Sequence, residues 1–111
     1  MKFKHSVVHA GVQAPCWYAL GVIEVCYRHR GFEVVVTSLA DSHENRPASL
    51  HNQGLACDIR IRNIPASTLA FIVSDIKEIL EPVGYDIVLE NNHIHCEYQP
   101  KNGENLIEET D

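Results

Sequence analysis

The sequence predicts a small α+β domain with two main helices and a mostly antiparallel sheet. Three observations carry that expectation. The chain has 111 residues, 45% of them hydrophobic and 22% charged, which suits one packed core and not a disordered chain. Two segments repeat their apolar residues at helical spacing, and two others alternate apolar with polar residues as half-buried strands do. The alternating segment near the end is interrupted by Asn91-Asn92, a pair that tolerates positive φ and can form a two-residue hairpin turn.

Taken in order, residues 1 to 13 show no clear period and read as an extended lead-in. Pro15 is suited to the first turn of a helix. Trp17, Leu20, Ile23 and Tyr27 then recur on one face, Glu24 and Arg28 on the other, and Gly31 is placed to stop the helix. A valine-rich strand is expected over 32–38, apolar enough for the interior of a sheet. Residues 39–50 form a polar loop holding Asp41, His43, Arg46 and Pro47. From 55 to 62 the alternation is clean: Leu55, Cys57, Ile59 and Ile61 point one way, Ala56, Asp58, Arg60 and Arg62 the other. A second amphipathic helix spans 65–81, with Leu69, Ile72, Val73, Ile76, Ile79 and Leu80 as its buried stripe and Asp75, Lys77, Glu78 and Glu81 on a solvated face. Pro82 and Gly84 end it.

The hairpin over 85–98 has two distinct faces. A turn at Asn91-Asn92 sets Glu90 opposite His93, with His95 and Glu97 following on the same side. Tyr85, Ile87, Leu89, Ile94, Cys96 and Tyr98 form the reverse, apolar face. After Lys101 the chain is acidic and polar, which reads as a mobile tail behind a core of about 14–100.

Net charge is −6, which argues against a nucleic-acid partner, since phosphate binding needs a basic face. The N-terminus has no apolar run with a cleavage site, and no apolar stretch is long enough to span a membrane. The expectation is a soluble product, cytoplasmic as synthesised, with no membrane insertion and no internal repeat. None of Cys16, Cys26, Cys57 and Cys96 forms a C-x-x-C pair, so buried reduced thiols are expected in place of a disulfide framework or cysteine metal site.

His5, His9 and His29 read as ordinary surface histidines. His51 and Asp58, together with the acidic residue and H-x-H of the hairpin, do not. Imidazole nitrogens with a carboxylate suit zinc, and three protein ligands leave a fourth position open, a catalytic arrangement. The residues point to a zinc hydrolase.

These same residues carry a resemblance. Ser49, His51, Gly54, Ala56 and Asp58 make up S-x-H-x-x-G-x-A-x-D, followed downstream by His93-Ile94-His95. Over roughly residues 32–100 the chain resembles the zinc D-alanyl-D-alanine carboxypeptidase and endolysin-like peptidase family, whose phage and bacterial members cut peptidoglycan peptides. Hedgehog signalling domains share that metal-binding core. The resemblance implies a hedgehog/DD-peptidase-like fold, Zn2+ held by His51, Asp58 and His95, Glu90 as general base and His93 as the residue that polarises substrate or stabilises the oxyanion. It further implies His43 and Arg46 as substrate-binding residues and a peptidoglycan peptide as substrate, reached after release or as part of a phage particle. Ser49 and Gly54 read as structural. The rival expectations are a non-catalytic zinc-binding domain and a virion structural protein.

Overall fold

The computed structural model describes residues 1–40, 51 and 53–100. Five strands form one sheet in the order β1-β2-β3-β5-β4, and two helices pack on it. The strands are β1 (Lys2–Phe3), β2 (Val35–Ser38), β3 (Ala56–Arg60), β4 (Tyr85–Leu89) and β5 (His93–Tyr98). The helices are α1 (Ala14–His29) and α2 (Ala66–Leu80). This is the expected α+β domain, and all pairings but one are antiparallel. The exception lies in the lead-in, where β1 adds a short parallel strand to the outer side of β2.

Pro15 sits in the first turn of α1, and Gly31, at φ 85°, follows its last residues as a left-handed stop. The buried stripe is Cys16, Ala19, Leu20, Ile23, Cys26 and Tyr27. Trp17, expected on that stripe, is 43% exposed and lies against the rings of Phe3 and His9. Helix α2 buries Ile72, Val73, Ile76 and Leu80, whereas Leu69 is half-buried and Ile79 is exposed. Ile79 falls one position outside the stripe that faces the sheet. Asp75 is not simply solvated, because Arg30, just past the end of α1, reaches it at 3.2 Å and ties the helices together. A single turn at Glu81–Val83 follows, and Gly84 at φ 102° turns the chain into β4.

The hairpin forms where the asparagine pair predicts it. Leu89 pairs with Ile94, and the Glu90 amide donates to the His93 carbonyl across the turn. Tyr85, Ile87, Ile94 and Cys96 are buried and Tyr98 is half-buried, but Leu89 is 45% exposed. It occupies the last position of an edge strand, where no strand of the described residues lies on its outer side. All four cysteines are free and buried, as expected. Cys57 and Cys96 face each other across β3 and β5, and hydrogen bonding with Cys16 and Cys96, helped by burial, pushes the Cys57 thiol well up. Among the described residues no helix is long and apolar enough to cross a membrane. The expected tail and the loop residues His43, Arg46 and Ser49 lie outside the described residues.

Candidate metal centre

The site is built on the polar face of β3 and β5. In an antiparallel ladder, opposed residues alternate between hydrogen-bonded pairs, with Cα atoms roughly 5.5 Å apart, and non-hydrogen-bonded pairs, roughly 4.5 Å apart. The Tyr98 amide donates to the Leu55 carbonyl, so that pair is bonded. Counting inward along the register, Cys57/Cys96 and Ile59/Ile94 are bonded pairs, while Asp58/His95 and Arg60/His93 are the closer, non-bonded ones. Asp58 and His95 are therefore held side by side by backbone geometry, and His95 Nδ1 stands 2.8 Å from Asp58 Oδ1.

His51 arrives from the loop before β3. Gly54 fixes that loop: its φ is 74°, its amide donates to the His51 carbonyl, and its carbonyl accepts from the Gln13 amide. A Cβ at position 54 would overlap the Gly11 carbonyl, so only glycine fits this close approach. The structural reading of Gly54 holds for that reason. His51 itself is 4% exposed. Its Nδ1–H donates to the Leu39 carbonyl at 2.6 Å, which points Nε2 at Asp58 Oδ1, 3.3 Å away.

Strand β2 contributes through an irregularity. Val36 pairs with Ile59, yet Ser38 pairs with Asp58, so one extra residue is accommodated at Thr37. The shift brings Ser38 beside Asp58, where its hydroxyl lies 3.3 Å from His51 Nδ1. Thr37 Oγ1 donates to the Asp58 carbonyl at 3.3 Å.

One carboxylate oxygen thus gathers three imidazoles: His95 at 2.8 Å, His51 at 3.3 Å and His93 at 3.6 Å. Burial works to raise the pKa of Asp58, but hydrogen bonds from His51 and His95 and the nearby His93 reverse it, holding the carboxyl well below the usual range. His95 is clamped at both nitrogens, because Nε2 lies 2.7 Å from Glu97 Oε1. The Asp58 hydrogen bond, opposed by burial and helped by Glu97, raises its pKa to about 9.

Ligand atoms of His51, Asp58 and His95 all lie within 4.8 Å of one another, so these three residues can hold a metal ion. The donor set fits. His51 offers Nε2 with its other nitrogen tied to a backbone carbonyl, and His95 faces Asp58 with Nδ1 while Glu97 holds its Nε2–H. Outer partners of this kind fix the tautomer and orientation of metal-binding histidines. Glu97, two residues beyond His95 on the same strand face and the next candidate for a base after Glu90, is here the partner that holds the His95 ring.

The remaining predicted residues are placed less tightly. His93 is half-buried, with Nδ1 2.6 Å from Asn92 Oδ1 and Nε2 turned toward Asp58. Glu90 stands across the turn from His93, as the hairpin parity requires, but its side chain is exposed and makes no bond to the three histidines or Asp58. Beside His93 opens a cleft of about 690 Å³ whose lining includes Asp58, Lys4, Arg60 and Arg62. The chain was compared with family models, curated proteins and solved structures, and none matches.

Proposed function

We propose that the chain is a zinc-dependent peptidase that hydrolyses peptide bonds of bacterial peptidoglycan. The observation that carries the reading is the convergence of ligand atoms of His51, Asp58 and His95 within 4.8 Å of one another, beside a cleft of about 690 Å³ that Asp58 also lines. Zinc is favoured among metals because two imidazoles and one carboxylate are its usual catalytic ligands. The motif's resemblance to the D-alanyl-D-alanine carboxypeptidases supports the substrate class. A zinc ion held by these residues supplies Lewis-acid polarisation of a carbonyl and lowers the pKa of water toward about 7.

The protein's own groups supply the rest. Glu90 is the general base: it takes a proton from the attacking water and delivers it to the leaving amine. His93, whose Nδ1–H donates to Asn92 Oδ1, would in its imidazolium form also donate from Nε2 to the oxygen that gains charge. Asp58, kept ionised by its imidazole neighbours, stays available as a ligand across the neutral range.

Purified protein incubated with peptidoglycan fragments, with products identified by mass, tests the reading. Glu90→Gln should retain metal and fold yet lose roughly two to four orders of magnitude in rate, the usual worth of a positioned base. His51→Ala should lose metal and activity together. The exposure of Glu90 favours a second reading, a metal-binding domain without catalysis. Stoichiometric metal with no product across a panel of wall peptides would select it.

A further inference from the structure

The cleft beside His93 carries charge of the opposite sign to the protein as a whole. The chain has 15 acidic and 9 basic residues, yet Lys4, Arg60 and Arg62 line one opening together. Among the described residues of that lining the one carboxylate is Asp58, whose Oδ1 is already engaged by imidazoles. Lys2 and Arg30 pair with Glu33 and Asp75, whereas among the described residues no carboxylate pairs with Lys4, Arg60 or Arg62. Three cations that line one cleft repel one another, and an anionic ligand reduces that repulsion.

Two further features favour an anion there. The first turn of α2 lines the same cleft through Ala66, and its N-cap, Pro65, offers no side-chain hydrogen bond and no acidic residue follows in the turn. The amides at the start of a 15-residue helix present partial positive charge. Arg60 is also well supported. It is half-buried, the Tyr27 hydroxyl donates to its carbonyl at 2.9 Å, and it faces His93 in a close, non-bonded pair.

We propose that this cleft is a carboxylate-binding subsite, in which Lys4, Arg60 and Arg62 hold an acidic group of the peptide whose scissile bond lies at His51, Asp58 and His95. The proposal rests on the peptidase reading and deepens it, because it states which substrates the site prefers. An arginine fork pairs with a carboxylate through two parallel hydrogen bonds, so the contact sets register as well as affinity. Arg60 neighbours both His93 and Asp58 along the sheet, so the bound carboxylate lies within a residue or two of the bond to be cut.

The test uses zinc-loaded protein and three synthetic probes. One is a glutamate-containing pentapeptide ending in D-alanyl-D-alanine; the others have either the glutamate carboxylate or the C-terminal carboxylate amidated. Affinity is read by calorimetry and cleavage by mass. Amidating one of the two groups should weaken wild-type binding by about 10- to 100-fold, as expected for a charge-assisted pair. Arg60→Gln with Arg62→Gln should show a similar loss toward the unmodified peptide and no further loss toward that amidated one. Arg60→Lys should restore part of it, and metal content should stay at wild-type level throughout. Equal affinity for all three probes, absence of binding, or equal losses by the variants on every probe would overturn the subsite. Cleavage without carboxylate preference rejects the subsite and leaves the peptidase reading standing. Carboxylate-dependent binding without cleavage supports the subsite and rejects the peptidase reading.

Discussion

Strands β3 and β5 present two opposite chemistries from the same ten or so residues. One face carries Cys57, Ile59, Ile94 and Cys96, all essentially inaccessible to solvent. The other carries Asp58, Arg60, His93, His95 and Glu97, all partly open. The apolar residues fall on hydrogen-bonded pairs and the polar ones on the closer, non-bonded pairs, so the ladder brings ligand groups together while the core face is spaced for bulkier packing. A shift of one residue in pairing would exchange the two faces entirely. Core and site are therefore one structural fact, and each stabilises the register that the other needs.

The strongest way to break this arrangement is from the core side. Ile94 is fully buried between His93 and His95, and Ile94→Ala should cost about 2–5 kcal/mol in chemical denaturation. Metal affinity should fall with it in proportion to the unfolded fraction, because no polar group has been altered. If Ile94→Ala left stability unchanged, the apolar face would not be what holds the register.

A change on the polar face should separate affinity from fold. Glu97→Gln removes the charged partner of His95 Nε2 and should weaken metal binding by about 10- to 100-fold, the usual effect of losing an outer partner. Far-ultraviolet dichroism should be unaltered. Undiminished affinity would show that Glu97 does not orient the ring.

The two states of the site should also respond to pH in opposite directions. In the metal-free protein the folded pKa of His95 is raised from 6.5 to about 9, chiefly by Asp58. The unfolded chain binds this proton less tightly. The contribution is therefore fully present below pH 6.5 and disappears as pH rises through about 9. Metal must displace that proton, so apparent metal affinity should climb over the same window. Thermal melts without metal and competition titrations with a chelator across pH 6.5–9 check both slopes. Parallel slopes would contradict the doubly hydrogen-bonded ring.

The smallest effect belongs to a neighbour of Ile94. Leu89 is its direct partner on the edge strand, and Leu89→Ser should change stability by no more than about 0.5 kcal/mol, since the side chain is already 45% exposed. A larger loss would mean that the edge position is covered in solution.

Much of this domain was legible residue by residue. Alternation alone puts Asp58 on a polar strand face, and Asn91-Asn92 alone predicts a turn that sets Glu90 across from His93. Pro15 and Gly31 bracket the first helix because both act through local backbone geometry. What local pattern cannot supply is the neighbour. Periodicity states which way a side chain points, not which segment lies in front of it. Hence Trp17, Ile79 and Leu89 fit an apolar stripe and still end up exposed. The site depends on such long-range decisions. Pairing β3 with β5 brings together residues 37 positions apart, and the extra residue at Thr37 moves Ser38 next to Asp58. Gly54 packs on Gly11 to seat His51, and the parallel addition of β1 carries Lys4 to the cleft. The sequence by itself determined the chemical inventory of each face, because side-chain direction follows from backbone period. Only the tertiary structure decided which members of that inventory meet, because strand order and register are set by burial summed over the whole sheet.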